Sequence, residues 1–140
     1  MLVDFYHLAL SPLERVLPQI CEKIISGGER LLIVADEPQL GELDRLLWSY
    51  ARDAFLPHGL AGDQPILLSP EAEPANGATN IALVDGVWRD EALAFARTFY
   101  FFDAARVDAA RSAWRAFKDN GDVEARYWKQ DDAGKWVQGP

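Results

Sequence analysis

The stretch Arg30–Trp48, RLLIVADEPQLGELDRLLW, decides the fold. RLLIVA (30–35) is a nearly unbroken apolar run between turn residues, with Gly27-Gly28 before it and Asp36 after it. Such a run, short and without polar alternation, predicts a strand buried on both faces, as in a parallel sheet. A helix follows at once. Asp36 or Glu37 can cap it, Pro38 fits its first turn, and Leu40, Leu43, Leu47 and Tyr50 form an apolar stripe. A buried strand running directly into an amphipathic helix is the repeating unit of an α/β fold.

The same alternation continues on both sides. Leu2–Leu8 reads as a first strand. SPLE (11–14) reads as a helix start, with Ser11 and Glu14 in a capping box around Pro12. Leu13, Val16, Leu17, Ile20, Cys21, Ile24 and Ile25 recur at helical spacing, with Pro18 as a kink or a displaced start. QPILL (64–68) and NIALV (80–84) are short strands joined by a turn-rich segment containing Asn76-Gly77. Arg89–Arg97 is expected to be helical, and TFYFF (98–102) to be a buried strand. Asp103 is expected to cap a helix running to about Lys118, closed by Asn120-Gly121. The tail carries a DDAG turn between two Trp-bearing segments, which suits a small hairpin or a segment lying along the body. The expectation is one three-layer, Rossmann-like α/β domain over residues 1–140, with a mostly parallel sheet and a C-terminal extension from about residue 122.

Composition narrows the function. Hydrophobic residues make up 49% and charged residues 26% of the chain, a soluble globular profile. No apolar run is long enough to span a bilayer, and MLVDFYHLAL lacks a secretory leader's basic start, so a cytoplasmic protein is expected. The single cysteine, Cys21, lies in a helical apolar stripe and is read as a buried structural thiol. The formal charge of −8 repels phosphate backbones, which argues against nucleic-acid binding by the surface as a whole and leaves room only for a local basic face.

Site chemistry is sparse. No glycine-rich turn lies between a strand and a helix N-terminus, so a dinucleotide or P-loop site is not expected. His7 and His58 have no metal-ligand spacing beside them, and no cofactor is expected. Two surfaces remain. On the last helix, Val107, Ala110, Ala113 and Phe117 form the apolar stripe, and Arg111, Arg115 and Lys118 a cationic one, with Trp114 on the border. A cationic shelf beside an aromatic wall suits a peptide that ends in a hydrophobic residue and a free carboxylate. Alternatively, the shelf is a solvated helix face. The second surface is WSYARDAFLPHGLAG (48–62), where Trp48 and Phe55 are candidate exposed anchors and Leu56, Pro57 and His58 shape the turn and seal the core.

FYHL (5–8), LDRLLW (43–48) leading into FLPHGLAG (55–62), and FFDAARVDAARSAWRAFKDNG (101–121) together resemble the chi subunit family of bacterial DNA polymerase III, over nearly the whole chain. The resemblance implies a Rossmann-like fold without a nucleotide and a non-enzymatic adapter acting at the replication fork. It implies one face for the acidic C-terminal tail of single-stranded-DNA-binding protein and another for the psi subunit of the clamp loader, or alternatively for an iron–sulfur repair helicase. Contact with DNA would be indirect. The tail pocket of the family matches Arg111, Trp114 and Arg115, with a strand residue near Tyr100; the docking face matches Trp48 and Phe55. Trp114 stands where the family more often has tyrosine, which keeps a ring wall and loses a phenolic hydrogen bond. A nucleotide-binding enzyme on the same fold is the rival reading.

Overall fold

The computed structural model describes residues 1–50, 56–73 and 75–139. Among them, strands β1 (Leu2–His7), β2 (Leu31–Val34), β3 (His58–Gly59), β4 (Ile66–Ser69), β5 (Asn80–Leu83), β6 (Arg97–Phe102), β7 (Glu124–Gln130) and β8 (Trp136–Gln138) form one sheet. Their order is β3-β4-β2-β5-β6-β1-β7-β8, and every neighbouring pair is parallel except β7 and β8. Helices α1 (Leu13–Ser26) and α2 (Glu37–Ser49) pack on one face, against Tyr6, Ile33 and Phe101. Helix α3 (Val107–Lys118) and a 3-10 turn at Asp90–Ala94 pack on the other, against Phe5, Val34 and Tyr100. The expected three-layer α/β architecture is the one observed.

Local chemistry accounts for most element ends. Asp36, rather than Glu37, caps α2 and accepts a hydrogen bond from the Gln39 amide at 3.0 Å. Pro18 is accommodated inside α1, buried, without ending the helix. Asn76 is buried at the turn before β5 and donates to the Leu31 and Gln64 carbonyls, tying that turn to β2. Cys21 is fully buried, and burial pushes its thiol up to about 12, which leaves it inert at neutral pH.

Three local expectations are corrected. Ser11 does not cap α1: Pro12 stands at that position without a side-chain cap bond. Gln130, at the end of β7, takes Ser11 instead, donating to its hydroxyl at 2.9 Å and accepting from its amide at 2.9 Å. The segment 89–97 is not an α-helix. Arg89 is held by two hydrogen bonds to Asp85 and Arg97 belongs to β6, so only the short 3-10 turn fits between them. The last helix begins at Val107, because Asp103 caps a preceding 3-10 turn at Ala104–Arg106. The tail forms the antiparallel β7–β8 hairpin, and it adds β7 to the sheet beside β1.

Candidate functional site

Strand β7 sends alternate side chains to opposite faces of the sheet. Tyr127 and Lys129 point toward α3, and Arg126 and Trp128 toward α1. With α3 on one side and β1 and β6 beneath, the first pair closes a hollow of about 340 Å³ lined by Phe5, Phe102, Arg111, Trp114, Tyr127 and Lys129, among others. Its floor is aromatic. Trp114 meets Phe5 edge-on at 5.3 Å and Tyr127 edge-on at 6.3 Å, and the His7 ring stacks on Phe102 at 5.0 Å. His7 Nδ1 and the Tyr127 hydroxyl share a hydrogen bond of 2.9 Å, which fixes the far wall.

The charges at this hollow are free to act. Arg111 is exposed, and its one ion pair within the described residues is a 3.9 Å contact with the fully exposed Asp108, too weak and too wet to hold it. Lys129 is exposed across from it, and among the described residues no carboxylate lines the hollow. The Tyr127 hydroxyl is pushed up in pKa by burial, and the Arg111 charge partly opposes the shift, so the guanidinium is felt at the opposite wall. Two cations over a bowl of rings can bind a carboxylate through hydrogen bonds and bury an adjoining apolar side chain.

Each residue singled out from sequence has a definite place. Arg111 and Trp114 meet in this hollow. Arg115 is exposed on α3 and does not line it. Tyr100 lies beneath the surface, fully buried, with its hydroxyl donating to the Gly86 carbonyl at 2.7 Å; Phe102, two residues further along β6, provides the wall. Trp48 is 63% exposed at the end of α2, with its indole 4.7 Å from the buried His58 ring. His58 has its ring nitrogens near the Leu56 and Asp44 carbonyls, and with buried Leu56 it seals the turn. Phe55 lies outside the described residues. The sequence reading missed Phe5, His7, Phe102, Tyr127 and Lys129. The alternation in RYWK (126–129) was the available signal for the last two.

The crevice where this fold class binds nucleotides, outside the carboxyl ends of the parallel strands, is built differently. About 470 Å³ in volume, it is lined by Glu14, Asp85 and Asp103, with Arg106 the one cation among the described lining residues. Pro12, at the start of α1, brings no backbone N–H to it. A phosphate there would face carboxylates.

Among the described residues, no helix is long and apolar enough to cross a membrane, and no cluster of three His, Cys, Asp or Glu could hold a metal ion. Residues 1–123 match the family described as DNA polymerase III chi subunit, HolC. The chain is 26% identical over 130 residues to the DNA polymerase III subunit chi of Escherichia coli K12, covering 86% of this chain and 88% of that one. It is 37% identical over 81 residues to the DNA polymerase III subunit chi of Pseudomonas aeruginosa PAO1, covering 53% of this chain and 57% of that one. The family match ends at residue 123, and the β7–β8 hairpin that closes the hollow follows it. With an α/β sheet of the expected kind and a match across most of its length, this chain belongs to the DNA polymerase III chi subunit family.

Proposed function

We propose that this chain is a non-catalytic replisome adapter that receives the acidic C-terminal tail of single-stranded-DNA-binding protein in the Arg111–Trp114–Tyr127 hollow. The observation that carries the reading is the lining itself: among the described residues, two cations, no carboxylate, and a floor of rings. Arg111 grips the terminal carboxylate, Lys129 adds long-range attraction, and Trp114 and Phe102 bury the last side chain. Tyr127 supplies a phenol across the hollow from Trp114, where the family's tyrosine is replaced by an indole. Titration of a peptide ending in Asp-Asp-Ile-Pro-Phe tests it, alongside the same peptide amidated at its end. The free acid should bind weakly to moderately, and progressively less as salt rises. Equal binding by the amide would remove the carboxylate from the mechanism.

The second face of the adapter is Trp48. An indole this exposed, standing on the buried His58, fits a docking anchor for psi. Trp48→Ala should leave the melting temperature nearly unchanged and abolish psi capture. Capture of an iron–sulfur helicase in place of psi would reassign the partner of that face.

A further inference from the structure

Across the sheet from the tail hollow, Asp4 of β1 is fully buried and accepts hydrogen bonds from Arg97 of β6 (3.0 and 2.8 Å), Arg126 of β7 (2.7 and 3.1 Å) and the Trp128 indole (3.0 Å). Each guanidinium gives Asp4 two of its five N–H donors. In both arginines the Nη1 group takes no part in the bonds to Asp4, and the Arg97 side chain also reaches the Tyr6 hydroxyl. Both arginines line a hollow of about 350 Å³ together with Lys23 and Gln19 of α1, Tyr6, Trp128 and Trp136. Among the described residues three cations and no carboxylate line it; Asp4 is engaged by the two arginines beneath, and Glu124, on the same face of β7, lies near enough to act on Arg126. The rings are held in place: Tyr6 stacks with Trp128 at 6.3 Å and meets Trp136 edge-on at 5.2 Å, and the Arg126 guanidinium lies 5.4 Å from the Trp128 ring centre.

We infer that this second hollow binds a nucleoside phosphate, with the phosphate bridging the Arg97 and Arg126 guanidiniums and the base lying against Trp136. The arginines are fixed before any ligand arrives, so little side-chain entropy is lost on binding. Paired planar forks match a tetrahedral oxyanion, and the rings supply the flat surface a base needs. The volume admits about one nucleotide unit. The net charge of −8 confines the contact to this patch and makes it weak and salt-sensitive. A free nucleotide and a nucleotide within a single strand share this chemistry, and separate probes distinguish the two.

The test is fluorescence anisotropy of a labelled short oligothymidylate at low salt with the full chain, and competition by thymidine monophosphate. Trp136→Ala should weaken binding about fivefold or more, the loss of one base–ring stack. Lys23→Glu, an exposed change outside the Asp4 network, should lower the salt slope by about one. Arg111→Ala should change neither, which separates this site from the tail hollow. Competition by the monophosphate assigns a free nucleotide; binding by the strand alone assigns single-stranded DNA. Either supports the inference when Trp136→Ala or the exposed Lys23→Glu weakens it as stated, and unchanged binding by both variants would overturn it. Absence of binding by both probes, equal loss with Arg111→Ala, or binding of polyglutamate but not the oligonucleotide at the Lys23 and Trp136 surface would overturn it.

Discussion

The two faces of β7 carry the same residue types and use them in opposite ways. Toward α3, Arg111 is exposed, held only by a long contact to Asp108, and stands over a bowl of rings. Toward α1, Arg97 and Arg126 are clamped on a carboxylate with no solvent exposure. A cation's role follows from its anchoring. A loose guanidinium over an apolar floor can adapt to a mobile chain end, at an entropic cost on binding. A clamped pair contributes to folding, and only its outward edge remains for a ligand.

The largest expected effect breaks the clamped side. Replacing both Arg97 and Arg126 by alanine leaves Asp4 buried without a counter-charge, and should cost about 3–5 kcal/mol in a denaturant titration. Arg111→Ala should cost less than about 0.5 kcal/mol of stability, as an exposed side chain does. It should, however, cost about 2 kcal/mol of affinity for the free-acid tail peptide, measured by calorimetry. A large stability loss in Arg111→Ala would erase the contrast between the two faces.

Acid sharpens the same comparison. Burial raises the Asp4 pKa, but the hydrogen bonds from Arg126, Trp128 and Arg97 and the Arg97 charge outweigh it, so the folded value lies below that of an ordinary aspartate. A depressed folded pKa gives stability that is present in full above the unfolded value, about 3.9, and is lost as pH falls through the folded one. The difference in melting temperature between wild type and Asp4→Asn should therefore hold steady from neutral pH to about pH 5 and shrink below about pH 4. A difference that already narrows between pH 7 and pH 5 would mean that Asp4 is not held ionised by the arginines.

A smaller effect concerns the hollow's outer wall. A Cβ on Gly139 would come within 2.7 Å of Tyr127 Cδ1, so Gly139→Ala must displace that ring. It should cost about 1 kcal/mol of stability and weaken the tail peptide severalfold. The smallest effect is expected at Arg115, which does not line the hollow: Arg115→Ala should change tail affinity by less than about 0.5 kcal/mol at physiological salt. A loss equal to that of Arg111→Ala would extend the site along α3.

Much of the frame was legible because it is local. RLLIVA, the Asp36 cap and the α3 stripe each declare themselves within a few residues, through burial, an oxygen beside free amides, and helical period. Arg111 and Trp114 are three apart on one helix, so their adjacency was also legible. Ser11 misled for a complementary reason. Its capping pattern is local, but Gln130 competes for it from 119 residues away.

Alternating strands and helices, the apolar face of α3 and a cationic edge beside an indole follow from short stretches of chain, because periodicity and capping act over one or two turns. That β7 lies beside β1, and with it both hollows, emerges only in the assembled sheet. So do the meeting of Asp4 with Arg97 and Arg126, 93 and 122 residues away, and the burial of Tyr100 beneath Phe102. Those outcomes depend on which strands become neighbours, and that is settled by the packing of the whole sheet rather than by any one segment.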